Sequence, residues 1–260
     1  MTGFVDAIIA AGISPPIPVV ADGVLHRFHV EGDKPGTENG WYTLYDDPPA
    51  GVFGCWRRGI VEKWSSKSQQ TFTTEERARY RANMKSQKKQ REVEQKKIYQ
   101  ECRERSQHIW QVSQPCPENH PYLLKKGVKA YGLRIYKGSI VIPVRDSRGV
   151  LHGLQFITSE GKKRYKGGTN KSGHYHSIGG KPESALYLTE GYATGATIHE
   201  ATGESVAVCF DAGNLKPVAE ALRTKFPDLR IVVCADNDRK TDGNPGLTKA
   251  TEAAQSIGGD

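Results

Sequence analysis

An α/β fold with a parallel sheet is what the second half of this 260-residue sequence predicts, and three observations predict it. Apolar runs of strand length recur at residues 185–189, 205–210 and 230–235. Each is followed by a segment of helical length, at 193–201, 218–225 and 247–256. Strands that alternate with helices pair in parallel through crossovers, since a tight hairpin joins only antiparallel neighbours. Finally, the first and last apolar runs both end on an acid, Glu190 and Asp236. In an open parallel sheet that edge is where ligands bind.

The preceding elements differ in kind. Residues 4–12 predict a short helix, stopped by Ser14-Pro15-Pro16. Residues 24–30 and 41–45 alternate apolar and polar, as half-buried strands do, and 51–56 reads as another strand after the turn Asp46-Asp47-Pro48-Pro49. Residues 1–68 therefore form an aromatic-rich β unit. Its Trp41, Trp56 and Trp64, with Arg57, Arg58 and Lys63, fit either a small core or a stacking platform for single strands.

Residues 69–114 predict a charged linker, a long solvated helix or a partly disordered segment. Thr73 or Thr74 caps its start, Glu75 and Glu76 complement the dipole of the first turn, and no Gly or Pro follows until Pro115. Sustained apolar heptads are absent, which argues against a coiled coil. Residues 115–182 then supply a strand pair, 139–144 and 151–158, joined by the turn Asp146-Ser147-Arg148-Gly149. Residues 183–260 hold the strand–helix alternation.

Composition narrows the function. Lys plus Arg number 37 against 29 acids, for a formal charge of +8, so a polyanion or an acidic surface is the expected partner. The five cysteines form no C-x₂-C pair, which removes the usual zinc-ribbon spacing. Their odd number and the lack of an N-terminal signal pattern fit a reduced cytoplasm. No apolar run approaches the length of a membrane span, so no membrane partner is expected.

Glu190, Asp236 and Asp238 are the candidate metal ligands. The D-x-D spacing directs two carboxylates the same way on an extended segment. Clustered carboxylates repel unless a cation neutralises them, and hard oxygen ligands favour Mg²⁺ or Mn²⁺. Gly191 either permits the strand-to-helix turn or admits a phosphate close to the backbone. Asp242 reads as part of an exposed loop. His174 and His176 share one face of a strand and read as surface histidines rather than metal ligands.

The segment Glu190-Gly191-Tyr192-Ala193-Thr194-Gly195 resembles the E-G-Y-A-T-A motif of primases from satellite phages and conjugative plasmids. Val233-Cys234-Ala235-Asp236-Asn237-Asp238 resembles the D-x-D motif of the same Toprim superfamily, and Phe210-Asp211-Ala212-Gly213-Asn214-Leu215 is similar to its G-N-L segment. Upstream, Ile142-Pro143-Val144-Arg145-Asp146 with Gly149 and Gly153-Leu154-Gln155-Phe156 looks like the basic strand pair of DnaG-type primases. Gly161-Lys162-Lys163-Arg164-Tyr165-Lys166 stands where that family has its second basic motif. The resemblance covers about residues 118–260. Gly195 replaces the motif's last alanine, and the zinc ribbon of many relatives is missing.

The resemblance implies a Toprim-type parallel sheet with flanking helices at 183–260, preceded by a small basic β subdomain at 115–182. It implies a DNA primase that copies a single-stranded DNA template from nucleoside triphosphates, with Glu190, Asp236 and Asp238 as catalytic metal ligands. Arg145, Lys163, Arg164, Lys166, Gly191 and Asn214 would contact nucleic acid or nucleotide, with Arg134 and Lys137 as further candidates. A replicative helicase, in trans or as a further C-terminal domain, is the implied protein partner. The chain stops at Gly258-Gly259-Asp260, where another strand is expected, as a fragment or a short stand-alone protein would. Two other functions fit the same residues: a Toprim nuclease, and a non-catalytic DNA-binding module that recruits a helicase.

Overall fold

The computed structural model describes residues 2–67, 72–237, 241 and 243–258. The chain divides into two compact units, Met1–Lys97 and Ile98–Asp260.

The first unit is an antiparallel sheet in the order β1 (His26–Phe28), β2 (Gly40–Asp46), β3 (Pro49–Cys55) and β4 (Ile60–Ser65). Helix α1 (Thr2–Ala10) buries Phe4 and Ile8 against Tyr42, Leu44 and Phe53. Trp64 joins this core, whereas Trp41 is buried outside it, against the Trp56 ring at 5.6 Å and under the Arg91 guanidinium at 4.9 Å. Trp41 is 1% exposed, and Trp64 packs edge-on against Phe4 at 5.4 Å. The arginines are committed as well. Arg57 pairs with the buried Asp33, and Arg58 donates to the carbonyls of Gly12 and Glu31.

Helix α2 (Thr74–Val112) runs for 39 residues. Thr73 and Glu76 form a reciprocal cap: the Thr73 N–H donates to Glu76 Oε2 at 2.9 Å, and the Glu76 N–H to Thr73 Oγ1 at 3.2 Å. The boundary between the units falls within this helix.

The second unit holds two sheets. The antiparallel one runs β5 (Gln114–Pro115), β6 (Arg134–Tyr136), β7 (Ser139–Arg145), β8 (Leu151–Ile157) and β9 (Lys163–Tyr165). Between β5 and β6 lies the short helix α3 (Pro121–Lys126), with His120 as N-cap, a proline in the first turn and Gly127 closing it in the left-handed region. The other sheet has the order β10-β12-β11-β13, from β10 (His176–Ile178), β11 (Ala185–Thr189), β12 (Ser205–Val208) and β13 (Arg230–Val233). Strand β11 pairs in parallel with both β12 and β13. Strand β10 is antiparallel to β12, and a single bridge from Tyr175 to Arg145 joins it to the other sheet.

Helices cover both faces of the parallel sheet. Side chains alternate along a strand, so Val206 and Val208 join Tyr192 and Ala196 of α4 (Tyr192–Thr202) in one core. Ala207 and Cys209 join α5 (Leu215–Lys225) and α6 (Pro245–Ile257) in another. The predicted strand–helix alternation is therefore present. Sequence reading missed the six-residue β4 and also β5, β6 and β9, which are two or three residues long and carry no usable alternation; the strand it placed at His174–His176 overlaps β10 only at His176.

At Gly195, α4 packs close against the sheet. A Cβ there would stand 2.9 Å from Thr189 Oγ1, 3.0 Å from Val208 Cγ2 and 3.2 Å from Val206 Cγ1. All three neighbours are buried and β-branched, so they yield little. Gly195→Ala gains about 1 kcal/mol of helix propensity but overpacks the core at a cost of about 1–3 kcal/mol. We expect a net loss of about 1 kcal/mol in urea unfolding; a stabilised variant would show that the contact relaxes freely.

Candidate active site

Parallel register gathers the site. Leu188 of β11 lies opposite Val233 of β13, and the Cys234 N–H donates to the Leu188 carbonyl at 2.9 Å. Glu190 follows β11 and Asp236 follows β13, so both stand at the carboxyl ends of adjacent strands. On the other side the Cys209 N–H donates to the Thr189 carbonyl at 2.7 Å, which brings Phe210 and Asp211 to the same edge. Glu190 and Asp236 are both half-buried. Asp238 and Asp242 lie outside the described residues. Among the described residues no three His, Cys, Asp or Glu side chains gather at metal-binding spacing.

Asp211 is a candidate that the sequence reading passed over, although it follows an apolar run just as Glu190 and Asp236 do. It pairs with Lys171, whose ammonium lies 5.6 Å from the Tyr165 ring centroid. Phe210 holds φ at 75°, strained for a bulky residue, and its ring meets Tyr165 edge-on at 6.1 Å. Burial, and then the charge of Asp211, raise the Tyr165 pKa.

The structure separates the basic residues by face. On β9, Lys163 and Tyr165 turn toward the parallel-sheet edge: Lys163 Nζ would lie 3.6 Å from a Cβ on Gly191. Arg164 turns the other way, over Phe156 at 5.6 Å. Arg145 also lies on that opposite side, over Trp110 at 5.5 Å. Arg134 lies over the same indole, Lys137 over Tyr136, and Lys166 is half-exposed.

Gly191 itself has φ −111°, open to any residue, and an added Cβ would make only ordinary contacts, the closest at 3.6 Å. Neither the turn nor the packing demands glycine there. The space beside its backbone, at the start of α4 and within reach of the Lys163 ammonium, suits an anion.

Two other motif residues are tied to the backbone. Asn214 is 3% exposed. Its amide donates to the His174 and Cys209 carbonyls, both at 2.9 Å, and accepts from the Gly173 N–H. Tyr192 is 1% exposed. Its hydroxyl donates to the Lys129 carbonyl and accepts from the Tyr131 N–H, each at 2.7 Å, and so fastens α4 to the segment before β6.

The histidine pair is not on the surface. His176 is 4% exposed, and its Nε2 donates to the Tyr131 carbonyl at 2.9 Å. Half-buried His174 stacks on His152 at 4.0 Å. Burial pushes His176 down from 6.5 to about 4, against the opposing pull of the Tyr131 carbonyl.

Residues 185–260 match the family model of the Toprim domain. Over 252 residues the chain is 37% identical to a DNA primase TraC of Escherichia coli, and over 257 residues 35% identical to another. Both matches take in 92% of this chain, which spans only 24% and 17% of those relatives. The primase fragment of the bacteriophage T7 primase-helicase protein aligns with a TM-score of 0.42 and 16% identity, over 88% of this chain and 85% of that one. The DnaG catalytic core aligns at 0.35 and 18% identity, over 54% and 48%.

Two expectations concern the core beneath the site. Tyr192→Phe strands the Tyr131 N–H and the Lys129 carbonyl, and should cost about 1–3 kcal/mol of unfolding free energy in urea; an unchanged midpoint would dismiss the hydroxyl as a fastener. His176 has a depressed folded pKa, so its contribution is complete above pH 6.5 and is lost as pH falls toward 4. Between pH 7 and 5 that loss is about 2 kcal/mol. His176→Gln should remove that slope, and an equal slope in both chains would count against it.

Proposed function

We propose that this chain is the catalytic module of a DNA primase, which makes short primers on single-stranded DNA from nucleoside triphosphates. One observation carries the reading. In-register parallel strands bring Glu190 and Asp236 to one edge, within the segment that matches the Toprim domain. Similarity to the DNA primases TraC over 92% of the chain supports it.

Glu190, Asp236 and Asp238 would hold Mg²⁺ or Mn²⁺. The donor set fits, since carboxylate oxygens are what these hard cations take. The ions, when bound, would lower the charge on the reacting phosphates. The remaining work falls to side chains. Lys163, beside Gly191, would hold the triphosphate as a point charge, while the open backbone at Gly191 lets a phosphate approach the start of α4. Tyr165 and Phe210 form an apolar wall at that edge, and Lys171 is held there by Asp211. Arg145, Arg164 and Lys166 would serve the template strand. A replicative helicase would deliver that strand. Among the described residues no helix is long and apolar enough to cross a membrane, and the cytoplasm of a bacterial host is the proposed setting.

The deciding assay is primer synthesis on single-stranded DNA with labelled nucleoside triphosphates and Mg²⁺ or Mn²⁺. Short products are expected. Glu190→Gln and Asp236→Asn should each lower kcat by about 100-fold or more. Lys163→Ala should raise KM for the triphosphate roughly tenfold with a smaller effect on kcat. Metal-dependent shortening of the template without primers would make the chain a nuclease. DNA binding with neither activity would make it a recruiting module.

A further inference from the structure

The β5–β9 sheet has a second face, turned away from Gly191 and Phe210. Ile109 and Trp110 of α2 lie on it against Val141, Leu151, Leu154 and Phe156. Beside that contact the helix carries another stripe. Arg103, Gln107, Trp110 and Gln111 recur at helical spacing and share one side of α2. Across an open groove of about 460 Å³, the stripe meets Arg145, Gly149, Val150 and Leu151 at the β7–β8 hairpin.

This groove lacks negative charge. Arg134 and Arg145 both lie over the Trp110 ring, at 4.6 and 5.5 Å. Arg134 donates to the Trp110 carbonyl at 2.5 Å, and Arg145 to the Gly149 carbonyl at 2.8 Å. Among the described residues no carboxylate pairs with Arg103, Arg134 or Arg145. The neighbouring acid, Asp146, is occupied by the Val150 and Arg148 N–H groups and the His152 ring. Burial, and then the charge of Arg134, lower the Arg145 pKa.

Guanidinium forks match phosphate oxygens, and carboxamides can reach base edges. We propose that the groove between α2 and the β7–β8 hairpin is a binding site for single-stranded DNA. Arg103 and Arg145 hold phosphates, and Gln107 and Gln111 face the bases. The assignment deepens the primase reading, because it gives the template a path along the face opposite Lys163. The binding it describes needs no catalysis.

The test is binding of a fluorescein-labelled thymidylate oligomer, followed by anisotropy over a salt series. Arg103→Ala and the pair Gln107→Ala with Gln111→Ala alter only the helix side of the groove. Lys85→Ala removes one charge from an exposed position elsewhere on α2. Arg103→Ala should weaken binding about tenfold and reduce the salt slope by about 0.7, the double variant should weaken it severalfold, and Lys85→Ala should bind like the unaltered chain. An equal loss in Lys85→Ala would reveal diffuse attraction to a basic helix and overturn the groove. Unaltered binding by both groove variants would overturn it too. If the chain makes primers while the groove variants bind normally, the primase stands and the groove falls. If it makes none while those variants lose DNA, the groove stands without the primase.

Discussion

Strand β11 is paired in parallel on both sides, and the arrangement of the second unit depends on that register. Parallel pairing aligns the carboxyl ends of three strands, so residues distant in sequence arrive together at one edge. Antiparallel pairing would have sent every second strand end to the opposite edge. Crossover helices must then lie on the two faces, and their packing is tight enough that α4 approaches through a glycine. Glu190, Asp211 and Asp236 share a neighbourhood because of backbone geometry alone.

What the sequence revealed was whatever the backbone repeats over several residues. Apolar runs followed by helical lengths gave β11, β12 and β13 with α4, α5 and α6, each to within a few residues. The helix start was legible as Thr73 or Thr74, and the reciprocal bonds with Glu76, three residues on, single out Thr73. What stayed hidden depends on contacts between distant segments. Tyr192 and Asn214 lie within motif-like stretches, yet their polar atoms are used by backbone groups far along the chain. His176 looked exposed because its three-residue strand gives no alternation to read. Asp211 was legible by the same rule that found Glu190, a carboxylate just past an apolar run, and was overlooked inside a stretch read for its G-N-L segment.

Strand alternation explains why one basic motif has two destinations. Lys163 and Arg164 are consecutive, so a pleated strand must send them to opposite faces. One reaches the parallel-sheet edge, and the other joins the surface that α2 covers. A run of cations that looks like a single patch in sequence is therefore divided between two surfaces, each with its own aromatic neighbours: Tyr165 and Phe210 on one, Phe156 and Trp110 on the other.

The close approach at Gly195 links positions that are far apart in the chain. The motif it resembles ends in alanine, whose extra methyl needs room that Thr189, Val206 and Val208 occupy here. A chain with alanine at this point must carry a slimmer residue on β11 or β12, or set its helix further from the sheet. The identity of one small residue in the helix and the bulk of three residues on the strands should thus change together as such sequences diverge. A graft of the alanine-ended motif into this chain would inherit the mismatch unless the strands were altered with it.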